Sequence, residues 1–290
     1  MDSKIAAVVA HYHKEGEVPL DLYELVVELS GRCGEIVFVS TNINAAGKEM
    51  LRPYATVVSR PNFGYDFWSY KVGIETLKNR HDIDGLLILN SSIIVFEPKK
   101  LCSEFLDRIP VEPCLFGLTS NNEISPHVQS YWVYFNTKQL LESEAFNIWW
   151  RDMEPISDSK QVIKNLELGM SKYFNAVGYP QSSMFKASVD DAILGACRTI
   201  ADNHYKINAS SDAVSGNAFK LGLDLASRIN PTSIYWDVIL HRHGYIKEKQ
   251  IKDVENRDFR MYGLVKYITE QDSIRMAKYT QILAARGINI

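Results

Sequence analysis

Short apolar runs alternate with helix-spaced segments over the first 90 residues, and this alternation restricts the possible folds more than any other feature. Four runs rich in Val, Ile, Leu and Ala predict buried strands, at 4–10, 35–40, 55–59 and 85–89. Apolar residues recur with the spacing of a helix face between them, at 19–30, 44–51 and 65–79. Alternating strands and helices form right-handed βαβ units, so we predict an α/β fold with a parallel sheet.

A sheet of this kind binds ligands beyond the carboxyl ends of its strands. The polar segments after the four predicted strands should therefore lie along one edge, at 11–13, 41–42, 60–66 and 90–92. Gly64 permits a close backbone approach where the third strand turns into a helix. The helix begins near Asp66, where its free amides favour an anion, and Arg60 adds a cation. This edge can hold a diphosphate and its sugar.

The remaining chain has a more mixed pattern. Further strands are predicted at 114–118 and 130–135, and further helices at 159–177, 190–202, 217–227 and 234–242. The tail from Lys247 is charged and helical in pattern. The sequence contains no Gly/Ser linker, low-complexity tract or repeat. We predict one domain at 1–250 with a helical C-terminal extension, 251–290, packed on it.

Composition excludes several classes of protein. The 290 residues are 46% hydrophobic, and 32 Lys and Arg against 35 Asp and Glu leave a net charge of −3. Disorder is not expected, and neither is a dedicated nucleic-acid binder, which usually carries a basic excess. No run is apolar enough for a membrane span, and the N-terminus does not resemble a signal peptide. The four Cys lack metal-ligand spacing, which favours free thiols in a reducing cytoplasm.

Common catalytic motifs are missing from the chain. The dinucleotide, P-loop, serine-hydrolase and zincin patterns do not occur. His11 and His13 lie two apart at a strand end, where a metal pair is conceivable. A histidine hydrogen-bonded in a turn is the favoured interpretation, because no acidic or His companion is evident.

Six motifs then occur in a consistent order over residues 5–255. They are NxGYDFxSYK at 62–71, LLILNSS at 86–92, FGLTSNN at 116–122, HxQSYW at 127–132, KQVIKNLELGMSKYF at 160–174 and NPTSIYW at 230–236. With these motifs the chain resembles the rhamnan synthesis protein F family of bacterial polysaccharide glycosyltransferases. The resemblance implies a GT-A-like single domain with a Rossmann-like sheet. It also implies a nucleotide-sugar donor, with dTDP-L-rhamnose favoured.

The same resemblance suggests which residues bind the donor: Arg60, Asn62, Gly64, Tyr65, Asp66, Lys71, Asn90 and Ser92. Family 2 glycosyltransferases, which the layout also resembles, hold a divalent metal with an Asp-x-Asp motif at the end of the fourth strand. Here that position is Asn90-Ser91-Ser92, and the Asp of the family's Asn-Asp-Ser pattern is missing too. Amides and hydroxyls are poor substitutes for carboxylates as Mg²⁺ or Mn²⁺ ligands. We therefore predict no metal ligands, and Arg60, Lys71 or the helix N-terminus would stabilise the leaving diphosphate.

An inverting transfer needs a general base on the acceptor hydroxyl. In the family 2 pattern this base begins a helix that ends at a Gly, and Glu167, followed by Gly178, fits that place. Without the resemblance, a solvated helix Glu is the better interpretation. The alternative bases are Asp191, with its neighbour Asp190, and then His127.

Acceptor contacts are also suggested by the motifs. The predicted substrate-binding residues are His127, Gln129, Ser130, Tyr131 and Trp236. His127 and Gln129 would point the same way along a strand and aim two hydrogen-bonding groups at a sugar. A structural His at a loop-to-strand junction is the alternative for the first, and Trp132 and Trp236 are more often core residues than stacking platforms.

The sequence thus predicts a cytoplasmic inverting glycosyltransferase that extends a bacterial surface polysaccharide or lipid-linked glycan, such as an O-antigen, capsule or cell-wall polymer. The alternative is a catalytically silent module that binds nucleotide-sugars or glycans in an assembly complex, which the missing Asp motivates. The partners are then a nucleotide-sugar and a glycan acceptor, with no nucleic acid. The basic residues of the tail are best explained by a solvated helix face, with peripheral contact to the inner face of the cell membrane as a weaker alternative.

Overall fold

The computed structural model describes residues 4–78, 82–207, 228–252 and 257–290. Its strands are β1 Ile5–His11, β2 Glu35–Ser40, β3 Thr56–Ser59, β4 Gly85–Asn90, β5 Ile93–Val95, β6 Leu115–Gly117, β7 Ser120–Asn121, β8 His127–Val128, β9 Trp132–Phe135, β10 Gln181–Ser183 and β11 Tyr245–Lys247. Seven of the described strands form the main sheet in the order β10-β6-β9-β4-β1-β2-β3. Two antiparallel pairs, β5 with β11 and β7 with β8, complete the described strands.

The predicted α/β fold is confirmed, with a mostly parallel central sheet flanked by helices. Strand β1 pairs in parallel with β2 on one side and β4 on the other, and β3 continues the parallel set. Strand β9 runs antiparallel between β4 and β6. Because β1, β2 and β4 are parallel neighbours, their carboxyl ends lie along one edge, where the polar segments were predicted to meet.

The described helices up to residue 207 are α1 Leu20–Ser30, α2 Ala45–Leu51, α3 Tyr65–Thr76, α4 Pro98–Leu106, α5 Lys138–Glu142, α6 Glu144–Arg151, α7 Ser159–Val162, α8 Leu168–Ala176 and α9 Val189–Ile207. Those after it are α10 Pro231–Ile234, α11 Trp236–His243, α12 Glu248–Lys252, α13 Arg257–Thr269 and α14 Ser273–Ala285. None of the helices in the described residues is long and apolar enough to cross a membrane.

The sheet separates two apolar layers because successive side chains of a strand point to opposite faces. Ala7 and Val9 of β1 belong to the cluster that includes residues of α1 and α4, whereas Ala6 and Val8 belong to the cluster that includes α3 and α8. Helix α3 lies close to β1 at Gly73, where an added Cβ would come within 2.2 Å of a Val8 methyl carbon. A larger residue there would push α3 away from the sheet.

A third apolar cluster joins the C-terminal helices to the pair of strands β5 and β11. It contains Ile94 and Phe96 together with Leu264, Tyr279 and Ile282, all of them buried. Helices α13 and α14 therefore pack directly against the chain that follows β4. The division at residue 250 stays a prediction.

Several predicted boundaries differ from the structure. The strand predicted at 130–135 begins at Trp132, and the helix predicted at 65–79 ends at Thr76. The helix predicted at 159–177 is interrupted by a π-helical turn, Ile163–Glu167, which lies between α7 and α8. The spacing of apolar residues in the sequence does not reveal the one extra residue of a π-helical turn, so this turn was not predicted. The helix predicted at 217–227 lies outside the described residues.

Candidate functional site

The loop before α3 has an unusual backbone. Gly64 and Tyr65 both have positive φ, at 72° and 53°, and Tyr65 is the one non-glycine residue with positive φ in the described residues. A positive φ is energetically unfavourable for a tyrosine, so contacts around the loop must stabilise this conformation. The guanidinium of Arg60 donates to the backbone carbonyls of Pro61, Phe63 and Tyr65 and to the Ser69 hydroxyl. Arg60 therefore stabilises the loop that presents Asp66.

Asp66 lies at the start of α3 and contacts the end of β4. Its Oδ2 accepts a hydrogen bond of 2.7 Å from the side-chain amide of Asn90. The Asn90 Oδ1 in turn accepts from the backbone amide and the hydroxyl of Ser92, at 3.0 and 2.6 Å. Burial raises the pKa of Asp66 to about 6, against the opposing effects of the Asn90 hydrogen bond and nearby positive charge. The predicted donor residues Asp66, Asn90 and Ser92 are thus brought together.

These residues line an open cleft of about 250 Å³ at the carboxyl edge of the sheet. His11 also lines the cleft from the end of β1, and its Nδ1 shares a hydrogen bond of 2.9 Å with the Ser40 hydroxyl. Burial lowers the pKa of His11 to about 4, so this ring is neutral at neutral pH. His13 accepts a hydrogen bond from the Glu17 amide, as the turn interpretation predicts. The two rings have separate protein partners.

Glu167 and His127 approach each other near the cleft, where the charge of Glu167 acts on Asp66. His127 is held through Nδ1, 2.8 Å from the Ser125 carbonyl oxygen, and its Nε2 lies 3.8 Å from Glu167 Oε1. The same carboxylate oxygen accepts a hydrogen bond of 3.2 Å from the Ser130 amide. No residue in the described ranges donates to the second oxygen, Oε2, which leaves it able to accept a proton from a ligand.

The π-helical turn determines where Glu167 lies. Its last residue is Glu167, and such turns occur often at functional sites because they redirect one side chain of a helix. The family 2 pattern implied that Glu167 is the first residue of a helix. In the structure Glu167 instead lies inside a helical segment that starts at Ser159, directly before α8. The turn supplies the redirection that a helix start would otherwise supply.

Lys247 was missed as a site residue by the sequence analysis. It ends β11, and its Nζ lies 4.5 Å from the centroid of the Tyr131 ring. Burial lowers the pKa of Lys247, and the negative charges of Glu167 and Asp66 oppose that effect. A basic residue in a charged tail gave no signal of burial; the apolar Tyr245 and Ile246 before it were the available hint of a strand.

Other predicted site residues have protein partners. Lys71 donates to the backbone carbonyls of Arg151 and Met153, at 2.8 and 2.9 Å, and lies over the Trp68 ring. Gln129 accepts from the Thr119 hydroxyl, which also contacts the Tyr131 hydroxyl. The side chains of His127 and Gln129 thus have different partners instead of aiming together at a ligand.

Three further predicted positions lie apart from the cluster. Trp236 is 4% exposed in the C-terminal apolar cluster, so its ring presents no open face for a sugar. Asp191 caps the start of α9 by accepting from the Ser188 amide and pairs with Arg242 at 2.6 Å. Burial alone would raise the pKa of Asp191, but the hydrogen bonds from Arg242 and Ser188 lower it below its usual value. Asn62 is exposed in the loop before α3.

The residues at the end of β4 do not fit a divalent cation. The Asn90 Oδ1 already accepts two hydrogen bonds from Ser92, and the segment 90–92 contains no carboxylate. Within the described residues, no group of three or more His, Cys, Asp and Glu side chains is arranged to hold a metal. Mg²⁺ and Mn²⁺ prefer several carboxylate oxygens, but Asp66 offers one carboxylate here, and the other carboxylate lining the cleft, Glu248, is paired with Lys252.

Comparison with known proteins identifies one family and several relatives. A family model described as rhamnan synthesis protein F matches residues 36–208. An uncharacterised protein, y4gN, of Sinorhizobium fredii is 27% identical over 185 residues, which are 62% of this chain and 48% of the relative. The virulence protein VirA of Vibrio anguillarum is 29% identical over 203 residues, 68% of this chain and 62% of the relative. The chain thus spans less than two thirds of the length of these curated relatives.

Among solved structures, the glycosyltransferase GlyE of Streptococcus pneumoniae aligns with 85% of this chain and 66% of its own. The sequence identity is 13% and the TM-score is 0.38.

Proposed function

The chain belongs to the rhamnan synthesis protein F family, and on that premise we propose that it is an inverting glycosyltransferase that uses a nucleotide-sugar. We infer dTDP-L-rhamnose as the donor and a bacterial surface polysaccharide or lipid-linked glycan as the acceptor. The donor would occupy the cleft lined by His11, Asp66 and Asn90. We also propose that the protein acts at the inner face of the cell membrane, where lipid-linked acceptors reside.

One observation carries the chemistry: Glu167 is fixed through Oε1 by the Ser130 amide while Oε2 is free of described donors. A carboxylate held in this way can accept the proton of an acceptor hydroxyl. The acceptor oxygen then attacks the anomeric carbon as the bond to the donor phosphate breaks. The configuration at that carbon is inverted, and the electron pair of the broken bond leaves with the diphosphate.

His127 supports this role through the same carboxylate oxygen that the Ser130 amide binds. Its Nε2 is 3.8 Å from Glu167 Oε1, and the ring is held by the Ser125 carbonyl. Tyr70 donates to the Ser130 carbonyl at 2.8 Å, so the backbone whose amide holds Glu167 is itself fixed. These contacts preorganise the base, which lowers the cost of reaching the transition state.

The proposal is tested with a panel of nucleotide-sugars that begins with dTDP-L-rhamnose. We expect release of the nucleoside diphosphate and transfer to a polysaccharide or lipid-linked acceptor, with NMR reporting inverted configuration. Turnover with retained configuration would contradict the single-displacement mechanism. Binding of a donor without hydrolysis or transfer across the panel would instead favour the binding-module alternative.

The role of Glu167 is tested by Glu167→Gln, which keeps the size of the side chain and removes the base. Loss of a general base costs about 10²–10⁴-fold in rate, so we expect kcat to fall by that amount while donor affinity is preserved. Glu154→Gln, at an exposed position, is the matched control and should leave kcat unchanged. Near-normal turnover by Glu167→Gln would assign the base elsewhere.

A further inference from the structure

The two cations that the sequence suggested for the leaving diphosphate have structural roles. The Arg60 guanidinium makes five hydrogen bonds to its own loop and to Ser69. The Lys71 ammonium is held by the carbonyls of Arg151 and Met153. Recruiting either group to a ligand would unmake these bonds. A donor diphosphate in the cleft therefore needs positive charge from another residue.

Lys247, in the C-terminal part of the chain, lies beside the cleft, and the next residue, Glu248, lines it. Strand β11 pairs antiparallel with β5, and the register puts Lys247 opposite Ile93. The next residue, Glu248, donates its amide to the Ser92 carbonyl at 2.9 Å. The backbone of Lys247 is thereby fixed directly beside segment 90–92, where an Asp-x-Asp transferase holds its metal.

The ammonium of Lys247 is uncommitted among the residues that the structure describes. Its Nζ lies 4.5 Å from the Tyr131 ring centroid, a cation–π contact that leaves the N–H groups free to donate. No hydrogen bond or ion pair to this Nζ occurs within the described residues, although Asp66 and Glu167 are close enough to act on its charge. In contrast, Arg286 nearby is bound by Asp21 and two carbonyls.

We propose that Lys247 binds the donor diphosphate and supplies the positive charge that a carboxylate-bound metal supplies in Asp-x-Asp transferases. That this anion is the diphosphate of a sugar donor rests on the proposed function. That Lys247 binds an anion rests on the position of its ammonium. As the bond from the anomeric carbon to the phosphate oxygen breaks, the electron pair stays on that oxygen. Lys247 stabilises this charge, and the acceptor proton goes to Glu167.

Three variants and one control test the assignment by activity, all in excess chelator. Lys247→Met keeps the length of the side chain over Tyr131 and removes the charge, so kcat should fall about 10²–10³-fold, as when one preorganised donor is lost. Lys247→Arg should retain activity within about tenfold of the natural protein, because it keeps the charge. Lys249→Met, an exposed position two residues on, should have no effect. If Lys247→Met does not fold, as judged by thermal unfolding, Lys247→Gln gives the same comparison.

Binding of inorganic diphosphate, measured by calorimetry in chelator, tests the assignment without turnover. We expect the natural protein to bind it, and Lys247→Met to bind at least about tenfold more weakly, a loss of about 1.4 kcal/mol. Equal binding by both proteins would overturn the proposal. So would loss of the natural protein's turnover in chelator with recovery in Mn²⁺. Diphosphate binding that depends on Lys247, with no turnover of any nucleotide-sugar, would support the Lys247 site and refute the proposed function.

Discussion

The loop before α3 and the C-terminal segment both bring cations towards the same edge of the sheet, but with opposite results. Arg60 of this loop comes just before the motif at 62–71 and Lys71 ends that motif within α3, and both are bound by backbone carbonyls. In the C-terminal segment, Lys247 belongs to no motif, and no described residue binds its ammonium by a hydrogen bond or ion pair. The difference indicates that a charged residue in a motif can stabilise the backbone of a site. The positive charge that acts on the ligand can then come from a distant part of the chain.

Arg286 links the two halves of this comparison. It is buried beside Asp21, and it donates to the carbonyls of Ser91 and Ile93 on either side of Ser92. Asp21 is 0% exposed and also accepts from the Val95 amide. The end of the C-terminal helices thus supports the backbone at the end of β4, which is also where β11 attaches.

The largest effect is expected for Arg286→Met. This change leaves the Asp21 carboxylate buried without its partner, and breaking a buried pair in this way costs about 3–5 kcal/mol. Urea unfolding should show this loss of stability, and turnover should fall too, because segment 90–92 loses its support. The double variant Asp21→Asn with Arg286→Met should be more stable than Arg286→Met alone. An unchanged unfolding free energy in Arg286→Met would contradict the support that we assign to this pair.

Lys71→Met should distinguish a cation that stabilises the fold from a cation that acts on the diphosphate. Two charge-assisted hydrogen bonds to carbonyls are lost, so the unfolding free energy should fall by about 2–3 kcal/mol. Turnover per folded molecule should stay within about threefold of the natural protein, in contrast to the Lys247 variants. A hundredfold fall in kcat with unchanged stability would return Lys71 to the diphosphate site and weaken the comparison.

The smallest expected effect is a gain in stability from Asp66→Asn, and it depends on pH. The pKa of Asp66 is raised to about 6 in the folded protein, so the ionised carboxylate destabilises the fold above that pH. Two pKa units are worth about 2.7 kcal/mol, and partial exposure reduces the expected gain to about 1–2 kcal/mol at pH 7.5. The gain should shrink to about 0.5 kcal/mol at pH 4, where the carboxyl is protonated in the folded protein and about half protonated in the unfolded chain.

Urea unfolding of Asp66→Asn and the natural protein at both pH values checks this prediction. Donor affinity measured on the same samples should fall in the variant, because Asp66 is a residue of the donor site. The loss of affinity would then accompany a gain in stability. An equal gain at pH 4 and pH 7.5 would show that the ionisation of Asp66 is not its cause.

Much of the fold could be predicted because it follows from local patterns. The apolar runs of β1, β2 and β4 and the helical spacing of α1 are visible in the sequence, since burial on a sheet or on one helix face fixes the period of apolar residues. The short strands β5 and β11 were missed, because three residues each carry no period. Their pairing depends on residues about 150 positions apart, which Ile93 and Lys247 illustrate.

The candidate site divides in the same way. Asp66, Asn90, Ser92, Glu167 and His127 were all predicted from motifs, and the structure brings the first three into one cleft and the last two into contact. The sequence alone also determined the parallel sheet, the edge that carries the site and the absence of carboxylates at 90–92. The tertiary structure decided that Arg60 and Lys71 are bound by carbonyls, that a π-helical turn aims Glu167, and that Lys247 reaches the site. Those outcomes depend on which distant groups satisfy each polar atom once it is buried, and a local pattern does not encode that choice.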